Sequence, residues 1–330
     1  MNPALTLRGI FCLRSLVCAA LLASTPVLAQ RAADNYPSRP VRMIIPFAPG
    51  GGTDIVARVV SQKVSEGFAQ AVVIDNRGGG GGTIGAETAV RSAADGYTLC
   101  MVSSSYATNA AIFKLPYNPV DDITPIALVG ETALVLTVHP GVAARDLKEF
   151  IALAKAKPNA LNYASTGSGG NTHLVTELFD MLAGTKMTHV PYKGTGAAMN
   201  DLLGGQIQLI IGSLPSILPH VKSGRLRGLA VTTAKRNPAL PDLPSIGEQV
   251  PNYHASVWYG LWGPRGLPRN VVTLWNTSIR KAVKLPEVRD KLAGEGLEVF
   301  DAPPAFFHEI VQRDVDKWTK VIQTANIKTN

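Results

Sequence analysis

The sequence is short of charge, of aromatic rings and of cysteine. Of its 330 residues 17% are charged and 6% aromatic, against 46% hydrophobic. This excludes a disordered, highly charged chain and leaves ample apolar material for a buried core. Basic residues exceed acidic ones, 32 to 24, but they are scattered. No basic stripe interleaved with aromatics is present, so no nucleic-acid partner is expected. The excess positive charge can ease encounter with anions without naming one.

The motifs of common catalysts are also missing. The six histidines, His139, His173, His189, His220, His254 and His308, are far apart and form no HExxH-like pattern, so no metal site is expected. Gly80-x-Gly82-x-x-Gly85 fits the dinucleotide spacing. It stands too far from its strand, however, and Ser103 to Ser105 occupy the place of the acidic ribose ligand. No Gly-Lys-Ser/Thr follows any glycine cluster, and Ser168 has Thr166 where a nucleophile elbow needs Gly. No cofactor and no catalytic residue are expected, and the chain reads as non-enzymatic.

Residues 1–29 read as a cleavable secretion signal. Arg8 and Arg14 give the basic start, Leu16 to Leu28 is uncharged, and Val27-Leu28-Ala29 is a small-residue cleavage site before Gln30. The uncharged run is too short to span a bilayer and Pro26 lies near its end, so the mature chain is expected in the periplasm. Cleavage lowers the net charge from +8 to about +6 and leaves Cys100 as the lone cysteine. No internal disulfide can form. Cys100 lies in the apolar run Tyr97 to Val102 and reads as a buried, inert thiol.

The mature chain alternates short apolar runs with helical patterns. Val41 to Ile45, Ala71 to Ile74, Tyr97 to Val102, Leu134 to Val138, Leu161 to Ala164, Ile207 to Ile211 and Leu226 to Val231 read as strands. Most are followed by an amphipathic helix. This alternation predicts an α/β fold with parallel sheets covered by helices. The last quarter differs: an aromatic strand over Val257 to Trp262, then amphipathic helices over Pro268 to Val283 and Pro304 to Ile327. This tail is expected to cover the first sheet. The expected division is therefore a signal over 1–29, one lobe from 30–132 plus 258–330, and a second over 133–257. The aromatic strand marks the return crossing, with Trp258 and Trp262 as reporters of lobe movement.

Several strand-to-helix loops are rich in Gly and hydroxyls. The first, Pro46 to Asp54, offers Phe47, Pro49, Gly51, Gly52, Thr53 and Asp54. The second, Ser165 to Asn171, offers Thr166, Ser168, Gly169 and Gly170, with His173 just beyond. The third offers Tyr192, Lys193 and Gly194 before the Ala197 helix, and Ser104 and Ser105 end the third strand. Glycines let backbone N–H groups converge, and a following helix adds free N–H groups and the positive end of its dipole. Together these can hold an anion without Arg or Lys, and in open α/β sheets such loops gather at the strands' carboxyl ends.

These residues closely resemble a known family. Tyr36-Pro37-Ser38-Arg39-Pro40-Val41 and Pro46-Phe47-Ala48-Pro49-Gly50-Gly51-Gly52-Thr53-Asp54 carry the resemblance. So do Asp75-Asn76-Arg77, Gly81-Gly82-Thr83-Ile84-Gly85, Asp95 to Leu99, His173-Leu174, Val190 to Gly194, Asp201 to Gln206 and Gly224 to Thr232. The family is the Bug family, substrate-binding proteins of tripartite tricarboxylate transporters. The resemblance implies a type II periplasmic binding fold: two α/β lobes, a two-crossover hinge and a ligand cleft. It implies a small carboxylate ligand, held on the loops matching Pro46 to Asp54 and Ser165 to Gly170, and membrane subunits as partners. Gly212 stands where many relatives carry an Asp that can meet a ligand ammonium, so a di- or tricarboxylate or an aromatic acid is favoured over an amino acid. The chain is expected to act as a monomer. Two roles remain open: a transport receptor, and a same-fold sensor input or chaperone with no transporter of its own.

Overall fold

The computed structural model describes residues 36–325, so the expected secretion signal lies outside them; the compact unit begins at Pro40. β1 (Val41–Ile45) leads into α1 (Gly52–Phe68), and β2 (Val72–Asn76) into α2 (Thr83–Val90). β3 (Thr98–Ser103) precedes α3 (Ser105–Ile112), and β4 (Ile123–Thr132) follows. A second series then begins: β5 (Leu134–Val138), α4 (Leu147–Ala156), β6 (Asn162–Ser165), α5 (Asn171–Ala183), β7 (Thr188–Pro191), α6 (Thr195–Leu203), β8 (Leu209–Ser213), α7 (Leu214–Lys222) and β9 (Arg227–Val231). The chain ends with β10 (Val257–Pro264), α8 (Arg269–Lys284), α9 (Pro286–Gly294), β11 (Leu297–Val299) and α10 (Pro304–Ala325).

The strands form two sheets, of order β11-β4-β10-β3-β1-β2 and β7-β6-β8-β5-β9. Each sheet with its helices is one lobe of a mixed α/β, two-lobed binding-protein fold. The chain passes from the first sheet to the second at Ala133 and returns between Val231 and Val257.

The sheets are mixed, not parallel as the alternation predicts. β10 runs antiparallel to β3 and β4, and β5 runs antiparallel to β8 and β9. The reason lies in the crossings. β5 and β10 are the first strands after each passage between lobes. They enter their sheets from the cleft, where the carboxyl ends of β3, β6 and β8 lie, and so must run against them.

Core residues follow the apolar pattern. In the first lobe Ile44, Cys100, Val102, Trp258, Trp262, Phe307 and Val311 form one cluster; in the second, Val135, Ala164, Leu202, Ile210, Leu214 and Ile217 form another. Burial pushes the Cys100 thiol well up, in keeping with an inert role. The three-to-four spacing of α10 places Phe307, Val311 and Trp318 inward, against α3 and β4. Trp258 donates from Nε1 to the buried Asp314 carboxylate of α10 at 2.7 Å, while Trp262 packs on Tyr106. Both tryptophan rings thus face the first lobe's core and not the cleft, so the movement reporter expected of them is poorly placed.

A Cβ at Gly260 of β10 would overlap the Phe307 ring. Gly260→Ala is predicted to destabilise the fold by about 1–3 kcal/mol through overpacking. Urea unfolding of this variant, of Phe307→Leu and of the double variant should show a combined cost below the sum, since the smaller side chain makes room for the methyl group.

Candidate functional site

A cavity lies between the carboxyl ends of the two sheets. After β1 it is lined by Phe47 and Gly51, then by Gly52 and Thr53 of the first turn of α1. Ser103 ends β3 and Ser105 opens α3. From the second lobe come Thr166 after β6, Asn171 and Thr172 of α5, Thr195 of α6 and Ser213 at the start of α7. Leu134, Val257 and Tyr259, from the first residues of β5 and β10, complete it.

Five helices therefore begin at one cavity: α1, α3, α5, α6 and α7. Their N-caps are Gly51, Ser104, Gly170, Gly194 and Ser213, and no N-cap side chain bonds its own first turn. By contrast α4, remote from the cavity, is capped by Asp146, whose carboxylate accepts from Glu149 N–H at 2.8 Å. Each helix start points the positive end of its dipole, about half an elementary charge, at the cavity, although the first N–H of α5 donates to Ser105 Oγ, that of α7 donates to Ala133 C=O, and Pro215 of α7 has none. Among the described residues no Lys, Arg, His, Asp or Glu lines the cavity.

Polar atoms without partners lie here as well. Tyr259 is 1% exposed, Asn171 2% and Ser104 3%; Asn171 Oδ1 and Ser104 Oγ have no hydrogen-bond partner among the described residues, and Tyr259 Oη has only the neighbouring Ser213 hydroxyl, out of good hydrogen-bond geometry. Burial pushes the Tyr259 phenol well above its usual range, so it stays a neutral donor. A Cβ on Gly52 would overlap both Tyr259 Oη and Ser213 Oγ. Only glycine leaves that corner open to a small polar group.

The lobes are tied across the cavity's rim. Ala48 N–H donates to Lys193 C=O at 2.9 Å, Thr108 Oγ1 to Gly169 C=O at 3.0 Å, and Asn171 N–H to Ser105 Oγ at 3.0 Å. Gly194 has φ 132°, and a Cβ there would meet Ala48 N at 3.0 Å, so the close approach of these two loops needs glycine.

The structure distributes the sequence-predicted residues over distinct places. Phe47, Gly51, Gly52, Thr53, Ser105 and Thr166 line the cavity. Ser104, Gly170 and Gly194 sit just behind as N-caps. Pro49 is exposed against the start of α6. Asp54 turns its carboxylate away, accepting from Gly50 N–H at 3.0 Å, Arg58 Nε at 2.9 Å and Asn76 Nδ2 at 3.0 Å. Burial raises its pKa, but these hydrogen bonds prevail and hold it below the usual range. Ser168, Tyr192 and Lys193 line a separate outer groove with Gly79 to Gly81, and Tyr192 Oη donates to Asp201 at 2.6 Å. A side chain at Gly212 would meet Ile217 at 3.1 Å in the second lobe's interior. Gly169 donates its N–H to Nδ1 of the buried His173, beneath the loop, at 3.2 Å.

Asn171, Thr172, Thr195 and Ser213 are not among the residues expected from the sequence, although Asn171 closes the second Gly-rich loop with Thr172 next to it, Thr195 follows Gly194 in the third, and Ser213 follows Gly212. The cue was present: a hydroxyl or amide in the first turn of a helix after a Gly-rich loop. Ser103, Leu134, Val257 and Tyr259 sit in strands and carry no local cue.

The fold, two α/β lobes with a cavity between them, is that of a solute-binding protein. Residues 56–327 match the tripartite tricarboxylate transporter family receptor, and the chain belongs to that family. Among curated relatives it is similar to Protein BugT of Bordetella pertussis, with 35% identity covering 93% of this chain and 95% of BugT. Among solved structures it is similar to the periplasmic binding protein BugD, at TM-score 0.87 and 32% identity over 89% of this chain and 100% of that one. It is also similar to R. palustris Rpa4515 with adipate, at TM-score 0.85 and 36% identity over 88% and 99%.

Tyr259→Phe is predicted to change the stability of the unliganded protein by less than about 1 kcal/mol, because it deletes a buried hydroxyl whose one neighbour, Ser213, is poorly aligned with it. The same change should weaken carboxylate binding about tenfold. Chemical denaturation and calorimetry on one preparation check both halves. Gly52→Ala, which fills the corner, should weaken binding further.

Proposed function

We propose that the chain is a periplasmic receptor that captures a small carboxylate and presents it to the membrane subunits of a tripartite tricarboxylate-type transporter, performing no chemistry on it. The observation that carries the reading is the meeting of five helix starts at a cavity lined by hydroxyls and no charged side chain. Such a site attracts an anion through oriented N–H groups. An amino acid is disfavoured, because no acidic side chain lines the cavity to meet its ammonium. Adipate on a 36% identical relative supports an aliphatic diacid, and Phe47, Leu134 and Val257 offer apolar contact to its methylenes.

The absence of chemistry is argued from geometry. The Ser165 Oγ–His189 Nε2 contact of 2.6 Å has the pairing of a nucleophile and base. Ser165, however, is fully buried and does not line the cavity.

The lobes, taken as 30–132 plus 258–330 and as 133–257, must part to admit a ligand. The cavity volume is about 30 Å³. That is room for about two waters, too little for a six-carbon diacid to enter without opening. Loops from both lobes line the cavity, so a ligand favours the closed arrangement through contacts made only there.

Calorimetry with a panel of adipate, malate, citrate, benzoate, glutamate and glucose tests the reading. The expected result is saturable binding of at least one non-amino carboxylate and none of glucose; glucose or glutamate alone binding would overturn it. Lys193→Ala, on the outer groove, is predicted to cost no more than about 1 kcal/mol, as expected for a solvated charge. Small-angle scattering should show a smaller radius of gyration with the bound acid.

A further inference from the structure

The loop Ser165–Gly170 brings Thr166 to the cavity and is fastened from beneath by two histidines. Gly169 N–H donates to His173 Nδ1 at 3.2 Å. Ser165 Oγ, which accepts from Gly167 N–H at 3.1 Å, lies 2.6 Å from His189 Nε2. The two imidazoles stack with centroids 4.0 Å apart and planes 16° from parallel, and Tyr163 stacks on His189. From the other lobe, Thr108 holds Gly169 C=O.

This geometry settles the His173 tautomer. A backbone N–H can only donate, so Nδ1 must accept and the ring proton sits on Nε2. Nε2 lies 3.9 Å from Glu177 Oε1, which also receives the Tyr163 hydroxyl at 2.5 Å. A proton on Nδ1 would set two donors face to face and strand the Gly169 N–H in a buried place. It would also put a cation against the stacked His189. The titratable groups around the stack are Glu177 on α5, Tyr163 on β6 and His189 on β7, with Asp180 beyond Tyr163. From the other lobe α3 presents Ser105 and Thr108 to this loop, neither of them charged.

We propose that His173 is a positioning residue whose protonation unfastens the loop Ser165–Gly170, so that the protein holds its carboxylate at neutral pH and loosens it in acid. The proposal rests on the reading of the cavity as a carboxylate site. Burial, which holds both histidines down to about 4, supports it. The sign follows from linkage: the fastened loop needs the neutral ring, whereas a released ring titrates near its ordinary value of 6.5. Above pH 6.5 the proton has no effect. Between 6.5 and 4 each pH unit lost favours release by up to about tenfold.

The experiment compares adipate affinity of the intact protein and of His173→Asn at pH 7.5, 6.5, 5.5 and 4.5. The Asn Oδ1 can accept from Gly169 but takes up no proton, and the ratio of the two proteins cancels the acid's own titration. With each affinity taken relative to the same protein's value at pH 7.5, the expected result is at least a tenfold larger loss in the unsubstituted protein by pH 4.5. His173→Leu should bind weakly at every pH. Superimposable profiles of the unsubstituted protein and His173→Asn would overturn the proposal. Ring nitrogen-15 shifts of the unliganded, unsubstituted protein give an arm independent of any variant's folding or of adipate binding. A proton on Nε2 at pH 7.5, with the Gly169 amide losing exchange protection as the ring protonates, supports the proposal; a proton on Nδ1 at pH 7.5 contradicts it. Failure of adipate to bind, with the ring behaving as expected, counts against the carboxylate reading and leaves the loop mechanism standing.

Discussion

Five helix starts of like electrostatic sign face one another across one small cavity, and no acidic side chain lines it. Asp54, in the first turn of α1, is the closest candidate, but its carboxylate is committed to Gly50, Arg58 and Asn76. The helix ends repel, more strongly in a protein interior than in water. The closed arrangement opposes that repulsion with a few cross-lobe hydrogen bonds, Ala48 to Lys193, Thr108 to Gly169 and Asn171 to Ser105. An anion in the cavity turns the repulsion into a shared attraction. In the proposed function, recognition of charge and closure of the lobes would be the same event, and neither would need a cationic side chain.

The same constraint explains the topology. Helix starts can converge only if strands from both sheets end at the cleft, and the mixed sheets provide this. The two strands that enter from the cleft, β5 and β10, run against their neighbours, as does the short edge strand β11 against β4. Their first residues, Leu134, Val257 and Tyr259, reach the cavity from beneath. They supply apolar wall and one neutral donor, which complements the N–H groups above.

Much of this was legible in the sequence. Strand-helix alternation gave most of the elements, and Gly-rich loops ahead of helices gave Gly51, Gly52, Thr53 and Thr166 at the cavity. The antiparallel strands were not legible, because strand direction depends on where the chain crosses between lobes and not on local pattern. Tyr259 was hidden for a related reason: alternation along β10 puts it on the face opposite the two tryptophans, but both faces are buried and only the position of the second lobe shows which one meets the cavity. Tyr192 and Lys193 follow a loop of the right kind, but the turn directs them to an outer groove. The Gly212 position shows the limit of reading a resemblance residue by residue, since its side-chain direction points to Ile217.

The central claim is that backbone N–H groups and hydroxyls at helix starts, not a basic side chain, hold the anion. The most direct measurement is a crystal structure of the protein grown with the tightest-binding acid of the panel. The account predicts carboxylate oxygens within hydrogen-bond distance of N–H groups in the first turns of α1 and α5 and of Tyr259 Oη. A carboxylate paired with Lys193 in the outer groove, or with any other Lys or Arg, would contradict it.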